Sequence, residues 1–384
     1  MGAKGNNLPR MKLQNSTAIK EIIYKYGPLS RLDIANALSL TPPTITSNVT
    51  RLLNAGLVRE CAPDVNAAPV LGRRKVGLTF VADAAYLLGI DCTRKYTALC
   101  VVDLFGKLCA ARMLPPAGPD YDSFFPMLRQ GVSGLLAGAS VPHTKIVGAG
   151  LGVVGHVDGH AGVLRDNPFG WKDKPLADTF KEQLGLPCRV ENFARCRALG
   201  EELFSEQPCP DTFAYLYTGG AISCPLVVRG RLVSGGLSAA GDLGSMQVMP
   251  GKFLSDIAGE DSITKACAAE SFDAVLEAQA KGEPLACQTI DTALEALGAA
   301  FANVVALIDP PLVVVDGRIV QSGANRERLL RALQAHCRDP QAPLPPIRFV
   351  DFDEYRGAKG AAALAIKKYV MQTEMLERKA ESDG

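Results

Sequence analysis

The sequence predicts an α/β protein in which a small basic helix-turn-helix head precedes a larger α/β body. Residues 1–80 hold 11 Lys and Arg against 4 Asp and Glu, a charge of +7, whereas the rest hold 30 against 36, a charge of −6. Short helical patterns joined by tight turns fill the head, and apolar strands alternate with helical patterns from residue 86 onward. The length of 384 residues is enough for two or three domains.

Composition excludes several classes of protein. Hydrophobic residues make up 47% of the chain and charged residues 21%, as in a soluble globular protein. No apolar run approaches the ~20 residues that span a bilayer, and residues 1–16 lack the apolar core of a secretory signal. The 11 cysteines include no CxxC pair, so we expect reduced thiols in a cytoplasmic protein.

Three short helices are predicted in the head. Residues 16–26 place apolar side chains on one helical face, and the Gly-Pro pair at 27–28 ends that helix. Ser30 and Asp33 have the spacing of a capping box, which opens a second helix. Thr41 precedes a proline at the start of a third helix. The predicted buried stripe of this third helix consists of Ile45, Val49, Leu52 and Leu53.

The third helix and the loop after it carry the groups expected to contact DNA. Residues 57–61 and 75–80 are predicted to pair as two strands of a wing. The helix face opposite the apolar stripe offers hydroxyl, amide and guanidinium groups, which bond base edges and phosphates in a major groove. The predicted DNA-binding residues are Thr44, Ser47, Asn48, Arg51, Arg73 and Arg74. The alternative is a small protein-interaction module with a polar face.

The body opens with an apolar strand at 86–91, whose hairpin partner is expected at 98–104. The stretch 165–201 then combines an N-P-F-G-W turn, an amphipathic helix and a short strand. It delivers Glu191 and Asn192 at the strand's carboxyl end, where α/β sheets place ligand groups. Further predicted elements are a helix at 122–136, strands at 145–151, 212–217, 312–315 and 347–351, and helices at 261–280, 289–308, 325–336 and 358–379.

The order of these motifs resembles the ROK family of sugar kinases and sugar-responsive repressors over almost the whole chain. Family members read roughly N-x-x-G-W, then L-G-x-P-V-x-V-E-N-D-A-N-A-A-A-L-G-E, and the stretch 167–201 follows that pattern. The pattern S-R-x-x-I-A-x-x-L-x-L-x-x-x-T-I-T in the head is similar to the winged-helix heads of ROK repressors.

The resemblance implies a fold and a division of the chain. A winged helix-turn-helix DNA-binding domain is expected over residues 1–82, followed by a two-lobed, actin-like (ribonuclease H-like) ROK sensor domain over 83–384. Lobe 1 would comprise about 83–205 with a C-terminal helix at 357–380, and lobe 2 about 206–356.

Several family motifs are altered in ways that predict a loss of kinase chemistry. Phe193 stands at the position of the family's catalytic Asp, and a phenyl ring cannot take a proton from a sugar hydroxyl. Thr93 and Arg94 replace paired glycines beside the ATP phosphates, and the loop 219–225 has lost glycines of the family's G-T-G-x-G-x-G. Ser245 replaces a zinc-binding His, and no Cys or His follows before residue 267, so neither a metal nor a cofactor is expected.

The resemblance also places an effector, a sugar or a sugar phosphate, between the lobes. Asn167, Asn192 and Asp242 would hydrogen-bond it, Gly155 would allow its close approach, and Phe193 could stack on an apolar sugar face. The two asparagines could instead be residues that only form turns.

Together these expectations describe a kinase-inactive, sugar-responsive DNA-binding regulator, expected to repress a carbohydrate uptake or catabolism operon. It would bind operator DNA as a homodimer or homotetramer. One alternative is a constitutive DNA-binding protein whose degenerate ROK domain holds no ligand. The other is a sugar kinase, which rests on fold analogy alone.

Overall fold

A computed structural model describes residues 8–62 and 76–382, and the structural statements below refer to these residues. The chain forms an N-terminal winged helix-turn-helix followed by a two-lobed body with one main sheet in each lobe, which confirms the predicted fold class. The helices are α1 (Leu8–Tyr26), α2 (Arg31–Leu38), α3 (Pro42–Asn54), α4 (Tyr121–Gly138), α5 (Leu176–Leu184), α6 (Phe193–Phe204), α7 (Leu254–Ala258), α8 (Glu260–Ala266), α9 (Phe272–Ala280), α10 (Pro284–Ile308), α11 (Gly323–His336), α12 (Arg356–Ile366) and α13 (Met375–Ser382).

The strands alternate with these helices along the body. They are β1 (Val58–Cys61), β2 (Gly77–Phe80), β3 (Tyr86–Cys92), β4 (Thr97–Val102), β5 (Leu108–Leu114), β6 (Ile146–Val153), β7 (His156–Asp158), β8 (Val163–Asp166), β9 (Lys172–Lys174), β10 (Cys188–Asn192), β11 (Phe213–Thr218), β12 (Ile222–Ser223), β13 (Leu226–Val228), β14 (Arg231–Leu232), β15 (Gln247–Met249), β16 (Lys252–Phe253), β17 (Val313–Asp316) and β18 (Ile347–Phe349).

Local sequence signals determine where the head's helices begin. At the start of α2, the Ser30 hydroxyl accepts from the Asp33 N–H, and the Asp33 carboxylate accepts from the Ser30 N–H at 3.1 Å. Thr41 caps α3 by position, although its Oγ1 bonds Thr44 Oγ1 at 2.9 Å rather than a backbone N–H. Helix α1 begins at Leu8, earlier than the predicted residue 16.

The core of the head follows the predicted apolar stripe. Ile45, Val49 and Leu52 of α3 are buried, while Leu53 is half-buried. Strands β1 and β2 pair antiparallel, as in the predicted wing, with Val58 opposite Phe80. The wing loop between them, including Arg73 and Arg74, lies outside the described residues.

The sheet of lobe 1 has the order β10-β6-β3-β4-β5. Strand β3 pairs antiparallel with β4, as predicted, and parallel with β6. Helices α4 and α5 cover one face, and α12 covers the other so closely that a Cβ on Gly89 would lie 2.0 Å from the Ala358 carbonyl oxygen. Helix α12 also packs against α6, the helix that begins at the predicted site residues Asn192 and Phe193.

Lobe 2 repeats this arrangement with the order β14-β13-β11-β17-β18, in which β11 runs parallel to β17 and antiparallel to β13. Two sheets of the same strand order, joined through α6, form the actin-like body. Helix α10 is long and apolar enough to span a membrane by length and composition, but many of its residues lie in the main core of lobe 2. The division at 83–205, 206–356 and 357–380 remains our working division.

The long final helix predicted at 358–379 is wrong as a single element. Helix α12 ends at Ile366, a π-helical segment (Lys367–Met371) follows, and residues 372–374 are not helical. The residues at this break contact the head. The Thr373 carbonyl accepts from Lys20 Nζ, and Glu374 pairs with Arg51 at 2.6 Å. Helix α13 therefore packs against the head, whereas α12 packs on lobe 1 as expected.

The predicted helix at 261–280 is also divided. Helix α8 ends at Ala266, and α9 begins at Phe272 after Ser271, whose side chain accepts from the Ala274 N–H. Between them Ala268 has a φ of 48°, a left-handed conformation that no helix tolerates. The cap at Ser271 is a local signal that the sequence analysis overlooked.

Candidate functional site

A cavity of about 260 Å³ lies between the lobes. Its size suits a small ligand, since pockets for drug-sized molecules run from about 300 Å³ upward. The structure brings all five predicted effector-binding residues together at this one cavity. They are Gly155, Asn167, Asn192, Phe193 and Asp242. Their roles toward an effector stay predictions, but their contacts within the protein can be described one by one.

Gly155 is required by the turn that shapes one wall. Its φ is 117°, and a Cβ there would lie 2.2 Å from the Asp166 carbonyl oxygen. Its own carbonyl accepts from Asn192 Nδ2 at 2.9 Å. A side chain at this position would therefore break the wall before it met any ligand.

The two asparagines differ in what they leave for a ligand. Asn192 caps α6, because its Oδ1 accepts from the Ala194 and Arg195 N–H groups while its Nδ2 is bonded to Gly155. Asn167 Oδ1 accepts from the Phe169 and Trp171 N–H groups. Asn167 Nδ2, in contrast, is buried and has no hydrogen-bond partner among the described residues.

The contacts of Asn192 thus favour the turn-forming interpretation, and Asn167 is the asparagine with a donor left over. A buried donor without a partner costs about 1 to 3 kcal/mol, so a ligand oxygen at this position would be stabilising.

Phe193 forms the floor of the cavity rather than an open platform. The side chain is 4% exposed and belongs to a small cluster with Val154 and Ala194. Its ring meets that of Tyr217 in lobe 2 edge to face, with the centroids 5.3 Å apart. The ring therefore links the lobes, and little of its face remains for a sugar.

Two carboxylates, those of Asp242 and Asp166, also line the cavity. Asp242 is exposed and accepts from the Ser245 hydroxyl through Oδ2 at 2.7 Å. Across the cavity, Asp166 Oδ1 lies 2.9 Å from His156 Nδ1. The sequence analysis missed the second pair, although Asp166 directly precedes Asn167.

Arg195 is a further cavity residue that the sequence analysis missed. It stands at an Asn position of the family pattern quoted above, and that departure was the available signal. Its Nη1 donates to Glu191 at 3.1 Å, and burial raises the pKa of Glu191 although Arg195 opposes the shift. Its Nη2 donates to three carbonyl oxygens of lobe 2. These are the oxygens of Ser234, Ser238 and Ala240.

Arg197, two residues after Arg195 on α6, forms a second bridge between the lobes. It donates to Asp91 at 3.1 Å in lobe 1 and to Asp316 at 3.2 Å in lobe 2, and it lies over the Tyr217 ring. Tyr215 also donates to Asp316, at 2.7 Å. Burial raises the pKa of Asp91 to about 6, although the charge and hydrogen bond of Arg197 oppose this. The family pattern has Ala at this position, so the sequence contained a signal here as well.

Four of the six predicted DNA-contacting residues lie on α3, and Arg73 and Arg74 lie outside the described residues. Ser47 is exposed, Thr44 and Asn48 are half-buried, and Asn48 Nδ2 donates to the Thr44 carbonyl at 2.9 Å. Arg51 is at the C-terminal end of this row, where its guanidinium pairs with Glu374 at 2.6 Å. The face is polar as predicted, but its arginine is already engaged by the C-terminal segment.

Comparison with known proteins adds the relationship that geometry alone does not give. The sequence matches the ROK family over residues 87–368, which is most of the chain. The chain belongs to the ROK family. It is 24% identical to the N-acetylglucosamine repressor of Escherichia coli O6:H1, an alignment that covers 99% of this chain and 98% of that protein.

Solved structures agree on the fold. A ROK family transcriptional regulator, a homologue of the E. coli MLC protein, is 23% identical and covers 97% of this chain and 100% of its own, with a TM-score of 0.78. A ROK family glucokinase from Streptomyces griseus, solved with glucose and AMPPNP, is 20% identical and covers 73% of this chain and 99% of its own, with a TM-score of 0.66. At these identities the likenesses show the fold alone.

Two segments that would face nucleotide in a ROK kinase have other partners in this ROK protein. Lys95, two residues after Thr93, donates to Glu260 of lobe 2 at 2.8 Å. In the loop 219–225, residues Ile222–Ser223 form β12 and pair antiparallel with β11. Backbone groups used in this pairing cannot also bond phosphate.

Ser245, at the position where the family resemblance implied a zinc-binding His, donates its hydroxyl to Asp242. Within residues 8–62 and 76–382, no three His, Cys, Asp or Glu side chains come together as a metal site would require. All 11 cysteines lie in this part of the chain and are free thiols.

Proposed function

We propose that this ROK protein is a DNA-binding transcription repressor whose affinity for operator DNA changes when a sugar binds between its lobes. The observation that carries this proposal is the single chain that joins a winged helix-turn-helix to a cavity retaining the buried, unpartnered Asn167 Nδ2. The similarity to the N-acetylglucosamine repressor, which extends through the head, supports the same assignment.

The proposal includes the absence of kinase activity. Phe193 provides no base, and it is buried against Tyr217. The loop 219–225, where the family resemblance would put nucleotide phosphates, is partly occupied by the pairing of β12 with β11. Similarity to a ROK glucokinase is a reason to test this point directly.

The assembly and its location are parts of the same proposal. A repressor of this type acts in the cytoplasm, and we propose that it binds DNA as a homodimer or homotetramer, because paired heads match the two-fold symmetry of operators. Thr44, Ser47, Asn48 and Arg51 would read the major groove, while Arg73 and Arg74 of the wing would contact the backbone.

The test starts from DNA fragments that the full-length protein selects from genomic DNA. Fluorescence anisotropy with these fragments should detect at least one sugar that changes the affinity for DNA. Asn167→Ala should reduce that response by about 1 to 3 kcal/mol, because the ligand loses its hydrogen bond to Nδ2. Effector-free DNA binding should stay intact, although the Phe169 and Trp171 N–H groups lose their acceptor within the turn. Asn303→Ala, on an exposed face of α10, is the matched control and should leave both unchanged.

Two results would count against the proposal. An equal loss of effector-free DNA affinity in Asn167→Ala would assign this residue to the structure of the turn. Sugar-dependent release of ADP at about 1 per second or faster, the low end of typical enzymes, would show a kinase instead.

A further inference from the structure

The charges around the interlobe cavity restrict which sugar it can hold. This step rests on the proposed function, since it concerns the effector of the same site. Asp166 of lobe 1 and Asp242 of lobe 2 each present a carboxylate to the cavity. His156 faces Asp166 and is a cation only when protonated. The cavity is therefore lined by two carboxylates and by one side chain that carries a permanent positive charge, Arg195.

Arg195 has little capacity left for a ligand. Its side chain is 3% exposed and forms an ion pair with Glu191, which cancels its charge. Its Nη2 already donates to three carbonyl oxygens of lobe 2 at 2.8 to 3.1 Å. A ligand anion would have to displace these bonds to reach Nη2, because this nitrogen has only two N–H groups.

The N-terminus of α6 is the other feature that would attract an anion. Its first N–H groups are not available, because those of Ala194 and Arg195 both donate to Asn192 Oδ1. The Phe193 ring lies at the same end of the helix and is itself buried. Neither the helix end nor the arginine thus offers a place for a phosphate.

The remaining groups fit hydroxyls. Asn167 Nδ2 is a donor without a partner among the described residues, and it suits a sugar hydroxyl or carbonyl oxygen. Asp166 uses Oδ1 toward His156, and Asp242 uses Oδ2 toward Ser245, so each carboxylate keeps an oxygen that can accept from a ligand hydroxyl. A polyol both donates and accepts, whereas a phosphate dianion only accepts and would face two like charges.

We infer that the effector is an unphosphorylated, uncharged sugar and that the cavity discriminates against sugar phosphates through Asp166 and Asp242. This preference decides whether the protein reports a free sugar or its phosphate ester.

The test is calorimetric titration of the full-length protein with pentoses, hexoses and N-acetylhexosamines, each beside its own phosphate ester at one ionic strength. At least one free sugar should bind, and its ester should bind at least tenfold more weakly, a difference of about 1.4 kcal/mol. An ester that binds as tightly as its parent sugar, or more tightly, overturns the inference and leaves the proposed function standing. If neither member of any pair binds, the proposed function fails as well.

A charge-matched pair of variants tests the residues themselves. The double variant Asp166→Asn, Asp242→Asn should reduce the ratio of the affinity for the free sugar to the affinity for its ester at least threefold, because the two carboxylates that repel the phosphate are gone. Asp173→Asn with Asp351→Asn removes two carboxylates that are 75% and 97% exposed and do not line the cavity, and it should leave the ratio unchanged. An unchanged ratio in the first variant, or an equal change in both, contradicts the assigned role.

Discussion

The two junctions of this ROK protein differ in the chemistry that dominates them. Besides the contact between the Phe193 and Tyr217 rings, the lobes meet through charged groups, with Arg197 and Lys95 of lobe 1 reaching Asp316 and Glu260 of lobe 2. The head meets lobe 1 through a continuous apolar core that runs from α1 and α3 to α12. Opening the lobes would expose groups that water solvates well, whereas detaching the head would expose apolar surface at about 25 cal/mol per Å².

This difference indicates which of the two junctions can change its geometry when a ligand binds. Charged bridges can be exchanged for water or for ligand contacts, so the interlobe cleft is the adjustable junction. The packed core makes the head move with lobe 1 and with α12. We therefore expect a sugar signal to reach DNA as a reorientation of head and lobe 1 together, relative to lobe 2.

The largest expected effect comes from removing the buried cation of the interlobe junction. Arg197→Met leaves Asp91 buried without a partner and Asp316 with only the Tyr215 hydroxyl, and it should lower the free energy of unfolding by about 3 to 5 kcal/mol. Urea unfolding followed by fluorescence measures this, because the single tryptophan, Trp171, is buried in lobe 1.

A matched arginine gives the control. Arg94 also reaches lobe 2, where its partner Asp261 lies 3.5 Å away, but the two side chains are 58% and 47% exposed. Arg94→Met should cost less than about 1 kcal/mol. Equal losses in the two variants would show that burial is not what distinguishes these bridges.

The next effect concerns a fully buried ion pair of the head junction. Lys20 and Glu377 lie 2.9 Å apart with side chains 0% and 1% exposed, and burial lowers the pKa of Lys20 although Glu377 opposes the shift. Lys20→Met should destabilise the protein by about 3 kcal/mol, because it leaves a buried carboxylate unpaired. Adding Glu377→Leu should restore most of that loss in the same unfolding experiment. No restoration would mean that the pair is not the source of the effect.

The smallest effect is expected at the recognition helix. Glu374→Gln removes the charge that pairs with Arg51, so DNA affinity should rise two- to fivefold, within the roughly 1 kcal/mol of a partly exposed pair. The dependence of affinity on salt should steepen, since one more phosphate contact becomes available. Glu354→Gln, an exposed glutamate of lobe 2, removes the same charge and is the control for anisotropy titrations. Equal affinities in both variants would show that Glu374 does not restrain Arg51.

Local signals explain why much of the fold was predictable. The capping box at Ser30 sets the start of α2, and the apolar spacing of Ile45, Val49 and Leu52 sets the buried face of α3. These patterns act over a few residues, so the sequence alone contains them.

Features that depend on distant partners were not predictable in this way. The break before α13 coincides with contacts to Lys20 and Arg51 of the head, and the sequence around residue 373 gives no sign of them. Arg195 and Arg197 depart from the family pattern, which marks the two positions, but their partners in lobe 2 become known only from the fold. The five cavity residues were found because a family motif, rather than a local propensity, indicated them.

The contact between Lys20 and Glu377 can form only late in the synthesis of the chain. The two residues are 357 positions apart, so the head leaves the ribosome long before its buried lysine can be neutralised. At about 5 to 20 residues per second, that interval is roughly 20 to 70 s. Until then α1 lacks α13 as a partner, and Glu374 does not yet lie beside Arg51. A nascent head therefore presents a more positive surface to nucleic acid than the folded protein does, because Glu374 and Glu377 join it only after the two lobes have been made.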